Sequence, residues 1–181
     1  MTMTEGLDFE QPHLGLEESY RELVREFQAA GEPLVPFPLG FANVDFAAFL
    51  ARLAACARGE GLPPGFVPHT TYWLVDHGRV VGVSNLRHSL TESLRREGGH
   101  IGYGVRPSAR RRGFGGEILR RTLTKARDMG MSRVLLTCRK GNVASVQTIL
   151  GNGGVLASEE FLPEWADVVQ RFWIDLALAR G

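Results

Sequence analysis

The segment His100–Gly116, HIGYGVRPSARRRGFGG, constrains the fold of this chain more than any other, because its residue period changes partway along. Apolar side chains alternate at Ile101, Tyr103 and Val105, the period of a strand with one buried face. Pro107 ends that ladder, having no amide hydrogen to donate. From residue 118 the spacing becomes helical. Ile118, Leu119, Leu123, Ala126 and Met129 share a stripe, and Arg120, Arg121, Lys125 and Arg127 lie mostly off it. Between strand and helix stands Arg110-Arg111-Arg112-Gly113-Phe114-Gly115-Gly116. The first amides of a helix have no acceptor within it and sit at the positive end of its dipole. With glycines keeping side chains away, such a mouth is an anion site that suits a diphosphate.

Two common phosphate loops do not fit. A dinucleotide loop needs glycine where Ile118 stands and an acidic residue about twenty positions on, and a nucleotide P-loop needs Gly-Lys followed by Ser or Thr. The sequence instead offers Arg-x-x-Gly-x-Gly, Arg110 to Gly115, directly after a strand ending in Val105. This resembles the coenzyme A loop of the GNAT superfamily, the acyl-CoA-dependent N-acyltransferases.

Taken in order, residues 1–14 read as a loose lead-in to a single domain over 1–181. Leu16–Ala30 carries a helical face of Leu16, Tyr20, Leu23, Val24 and Phe27, stopped by Gly31. Asn43 or Asp45 caps a second helix to about Arg58, which Gly59 ends. Thr70–Val75 and Arg79–Arg87 form a hairpin about Asp76-His77-Gly78, and Ser89–Gly99 reads as a polar loop. After the central strand and helix, Ser132–Cys138 is apolar enough for a strand buried on both faces, so strand, helix and strand form a parallel crossover. Asn142 caps a short helix over Ala144–Leu150, and Val155–Phe161 and Val168–Ala177 close the chain as an antiparallel pair. The expected fold class is α+β, layered α/β/α, with a mixed, mostly antiparallel sheet and one parallel crossover at the coenzyme site.

This order extends the resemblance. Asn142-Val143-Ala144-Ser145 followed by Gly153 is similar to the Asn-x-x-Ala/Ser helix of GNAT chains, and the hairpin with Gly78 and Val80-Val81-Gly82 also matches. The best-matched core is residues 70–160. Within the superfamily, the chain looks like a group of bacterial predicted acetyltransferases without an assigned acceptor.

Acyl transfer from a thioester to an amine must hold the thioester, deprotonate the amine, stabilise the oxyanion and balance the departing thiolate. The resemblance implies acetyl-CoA as co-substrate and a primary amine, small molecule or peptide, as acceptor. It implies that amides from Arg111 to Gly116 (Arg111, Arg112, Gly113, Phe114, Gly115, Gly116) hold the diphosphate. Backbone groups of Tyr103, Gly104 and Val105 would line the pantetheine arm, and Asn142 and Ser145 would meet the coenzyme's far side. At least one of Arg110, Arg111 and Arg112 is expected to touch phosphate. Glu117 is expected to serve the helix start as a cap. Family enzymes commonly take the base from a Glu or His near the central strand; here the candidates are His88, His100 and Glu97. His88 comes first, because Asn85, Arg87 and His88 gather polar groups at one strand end. Many members place a Tyr general acid seven residues after the asparagine, where this chain has Ile149, so Tyr103 or water stands in for it.

A net charge of +1 leaves no broad electrostatic footprint for nucleic acid or membrane. Cys56 and Cys138 lack metal spacing, and no run is long enough to span a bilayer. MTMTEGLDFEQP carries no signal-peptide core, so the expectation is a cytoplasmic protein that holds no metal. Phe172-Trp173-Ile174 is a candidate homodimer surface. Three rival readings remain: a non-catalytic acyl-CoA sensor or scaffold, a peptide or protein N-acetyltransferase, and an RNA-binding module prompted by the arginines. Near-neutral charge and the lack of an aromatic stacking signature speak against the last.

Overall fold

The computed structural model describes residues 6–176. Strand β1, Leu7–Glu10, lies where a loose lead-in is expected. Its alternation is short but decisive: Leu7 is buried, and the Phe9 ring stacks on Tyr72 at 5.2 Å between centroids. Helix α1, Glu17–Ala29, buries Tyr20, Leu23, Val24 and Phe27 on one stripe. Helix α2, Phe46–Arg58, begins where the Asp45 carboxylate accepts the Ala48 amide at 3.0 Å and ends at Gly59, in the left-handed region.

The hairpin pairs β2, His69–Asp76, with β3, Arg79–Arg87. The expected polar loop contains one short helix, α3, Glu92–Arg96, capped by Thr91. Its neighbourhood is tied to the far end of the chain: Arg96 pairs with Glu160 and Glu164, and Arg171 Nε donates to the Arg96 carbonyl at 2.8 Å. Then come β4, Ile101–Val105, and helix α4, Phe114–Asp128. Strand β5, Arg133–Arg139, helix α5, Val143–Gly151, and the antiparallel strands β6, Val155–Leu162, and β7, Asp167–Asp175, complete the order. Met129, expected on the α4 stripe, lies just past the helix and is exposed. Residue 177, expected in the last strand, lies outside the described residues. No helix among those described is long and apolar enough to cross a membrane.

The strands form two antiparallel sheets, ordered β1-β2-β3-β4 and β5-β7-β6. The parallel crossover β4-α4-β5 joins them, but no ladder links β4 to β5. Helices α1 and α2 cover one face, over a core containing Tyr20, Phe27, Phe46, Phe49, Trp73 and Val83. Helices α4 and α5 cover the other, over Leu86, Ile101, Leu119, Leu136, Ile149 and Phe172.

The α1–α2 connection presses directly on β4. A side chain at Gly104 would collide with the backbone carbonyl of Val35, which cannot swing aside as a side chain would. Gly104→Ala should therefore lower stability by about 1–3 kcal/mol, the usual cost of overpacking. Thermal unfolding checks this; an unchanged midpoint would mean that the connection yields freely.

Candidate active site

The gap between β4 and β5 is fixed at one end by a single residue. His100, just before β4, donates its amide to the Leu135 carbonyl at 2.7 Å, and its Nδ1 accepts the Leu135 amide at 2.8 Å. Beyond this pair of hydrogen bonds no ladder joins the two strands. The β3–β4 register decides which backbone groups face the gap. His100 O and Arg106 N bond to β3, so the even residues of β4 spend their amides and carbonyls there. The odd residues Tyr103 and Val105 therefore turn theirs into the open cleft.

The mouth of the cleft is the loop Arg110–Gly116. Arg111 and Gly113 both have positive φ, 62° and 83°, and Gly113 is the residue preceding α4. Alternating conformations of this kind turn successive amides inward as an anion nest. Among the described residues, the amides of residues 111–116 meet no protein acceptor, and Gly113 offers no side-chain cap. Six consecutive free donors at a helix N-terminus fit a diphosphate.

The three arginines behave differently. Arg110 makes a bidentate pair with Glu32, at 2.7 and 2.6 Å, and Nε donates to the Val105 carbonyl. Arg112 donates to Asp76 at 3.2 Å and lies over the Phe114 ring. Arg111 is exposed, with no hydrogen bond among the described residues, and is the one free to turn to a ligand. Glu117 does not cap: its carboxylate is held by Arg120 and Arg121, whose hydrogen bonds bring its pKa down to about 2.

Arg106, which the sequence reading missed, anchors this mouth. It is almost fully buried, with Nη2 2.8 Å from Glu22 and Nε 2.7 Å from Glu26 on α1. Glu26 also accepts the Ser108 amide at 3.0 Å. The only sequence signal was the pair Glu22 and Glu26, one turn apart on a helix whose other face is apolar.

On the far wall, the Asn142 side chain accepts the Ser145 amide at 3.1 Å and so caps α5. The Tyr103 hydroxyl crosses from β4 to within 3.1 Å of Ser145 Oγ. Burial pushes the Tyr103 pKa up, with hydrogen bonds from Ser145 and Thr148 pulling the other way. Ile149 is fully buried in the core shared with Leu119 and Leu136, and an isoleucine has no proton to donate.

The three candidate bases are not brought together. His100 is engaged as a structural tie, and this is a correction: a lone pair holding a backbone N–H cannot also abstract a proton. His88 Nε2 lies 2.9 Å from Thr70 Oγ1 at the end of the hairpin, and burial lowers its pKa. Glu97 accepts from the Trp165 indole. Asn85, grouped with His88 in sequence, instead bonds His69 on the opposite face of the sheet. Among the described residues no group of three or more His, Cys, Asp or Glu side chains could hold a metal.

Residues 40–150, well over half of the chain, match the Acetyltransferase (GNAT) family. The chain belongs to that family. Its structure is similar to the Salmonella typhimurium acetyltransferase that modifies the N-terminal serine of ribosomal protein L7/L12, with TM-score 0.68, 15% identity, and 96% of this chain and 97% of that one covered. It is also similar to the Microcin C7 self-immunity acetyltransferase MccE in complex with acetyl-CoA and AMP (TM-score 0.67, 14% identity, 96% and 94% covered). A third likeness is to the dodecameric spermidine N-acetyltransferase of Vibrio cholerae (TM-score 0.63, 12% identity, 96% and 95% covered). No curated protein matches the sequence.

The His100 tie carries a pH signature. Burial, Arg95 and Arg87 depress its pKa to about 4, and burial depresses that of His69 likewise. An unfolded histidine titrates near 6.5. The folded state thus binds fewer protons, so stability is full above about 6.5 and declines as the pH falls toward 4. Unfolding midpoints measured from pH 8 to 4 should drop across this window, and less steeply in His100→Gln; parallel curves would remove His100 as a contributor.

Proposed function

We propose that this GNAT family member transfers an acetyl group from acetyl-CoA to a primary amine, by direct attack within a ternary complex. The run of free amides at residues 111–116, opening onto a cleft lined by the unpaired backbone of Tyr103 and the free amide of Val105, carries this reading. The amides hold the diphosphate, joined by the Arg111 guanidinium. The exposed edge of β4 bonds the pantetheine amides and offers an N–H to the thioester carbonyl, where charge develops. The amine nitrogen forms the new amide bond and gives up a proton to water, while the carbon–sulfur bond breaks and the sulfur takes one up. Tyr103 supplies that proton in place of the family tyrosine, as a phenol that is protonated at neutral pH. Likeness to enzymes acting on a protein N-terminus and on spermidine supports an amine acceptor.

Arg111→Ala should weaken CoA about tenfold, the loss of one charge-assisted contact, by calorimetry. Equal loss in Arg110→Ala but none in Arg111→Ala would reverse the roles given to these two. Tyr103→Phe should lower kcat by about 10- to 100-fold with CoA affinity kept, as expected of a general acid. Thiol release from acetyl-CoA over a panel of amines and peptides tests the reaction itself. Firm CoA binding without thiol release from any acceptor would favour a sensor.

A further inference from the structure

Three buried side-chain polar atoms among the described residues have no hydrogen-bond partner: His69 Nε2, Asn85 Oδ1 and Trp73 Nε1. They lie on one face of the first sheet. Trp73 and Val83 pack in the core under α1 and α2, and alternation along β2 and β3 puts His69, Thr71 and Asn85 on that same face. His69 is 2% exposed and Asn85 0%. Asn85 Nδ2 lies 2.8 Å from His69 Nδ1 and 3.2 Å from Thr71 Oγ1. With Nδ1 accepting, the ring carries its proton on Nε2, a donor without an acceptor, and Asn85 Oδ1 is an acceptor without a donor. Turning the amide over and shifting the proton exchanges these roles but leaves the pair equally open. Buried groups left open in this way point to a ligand that completes them.

Their place is next to the reaction centre. Asn85 pairs directly with Gly102 of β4, two residues beyond the His100 tie where the cleft closes. Gly102 and Gly104 present no side chain on this face, so the segment Val35–Phe37 covers it. Pro36 Cβ lies 3.3 Å from where a Gly102 side chain would begin, and Phe37 stands edge-on to the His69 ring at 4.8 Å. Phe37 is half-buried, and the Arg87 guanidinium lies 5.4 Å from its ring.

We propose that His69 and Asn85 form the acceptor-reading subsite, and that the acceptor is an α-amino carbonyl compound such as a peptide N-terminus. Asn85 Oδ1 takes an N–H of the attacking amine, and His69 Nε2 donates to the neighbouring carbonyl once Phe37 moves aside. Burial, with Arg87, His88 and Arg52 nearby, keeps the His69 ring neutral, with a pKa of about 4. The two guanidinium groups, Arg87 and Arg52, disfavour a polyamine. The assignment rests on the acetyl-transfer reading but is tested apart from it.

The test is imidazole 15N NMR of the full chain saturated with CoA, titrated with Ser-Ala-Ala amide or spermidine, with His69 assigned through His69→Gln. Thiol release with the same peptide is measured alongside, in wild type and Asn85→Leu. The expected results are a moving His69 Nε2 resonance with the peptide but not with spermidine, and a peptide KM raised about tenfold in Asn85→Leu. Should that variant not fold, the wild-type resonance decides. Peptide turnover with an unmoved resonance overturns the subsite and leaves acetyl transfer standing, the pair then being closed by water. A moving resonance without thiol release supports the subsite and overturns transfer. Neither signal overturns both.

Discussion

The structure depends on a strand that has one partner too few. β4 is bonded to β3 along its length, yet its other edge meets β5 only through His100 and Leu135. A backbone edge left open beside a packed core must find donors and acceptors somewhere. The cleft therefore calls for a ligand with amides of its own, and the pantetheine arm of coenzyme A has them. His100 fixes where pairing stops, which makes it a determinant of the cleft's geometry.

Electrostatics place the other half of the site. The loop at residues 110–116 has a local excess of positive charge, and α1 answers with Glu22, Glu26 and the following Glu32. Arg106 is consumed in fastening the loop to that helix, and Arg110 to the turn after it. Anchoring of this kind lets the free amides stand oriented before any anion arrives, which lowers the ordering cost of binding. Within the charge run, Arg110 and Arg112 are paired to carboxylates, and Arg111 has no partner among the described residues.

Much of this was legible in the sequence because it rests on local rules. The change from period two to helical period at residues 100–126, the caps Asp45 and Asn142, and the glycine turn at Gly78 each follow from backbone chemistry within a few residues. What was hidden depends on distant partners. Phe9 makes β1 a strand only because Tyr72 offers it a surface. His100 looked like a base until Leu135 was found to occupy its lone pair. Asn85 was read with His88 because they are near in sequence, but strand alternation sends them to opposite faces. Arg106 could not be told from its exposed neighbours until two carboxylates of α1 came into view.

The central claim is that the amides of residues 111–116 and the open edge of β4 together receive coenzyme A. A 1H–15N NMR titration of the labelled protein with CoA tests it most directly. The account predicts downfield shifts of the amide protons from Arg111 to Gly116, with Tyr103 and Val105 following, while the amides of β6 stay in place. Saturable CoA binding that leaves residues 111–116 unmoved, or no binding at millimolar CoA, would contradict it.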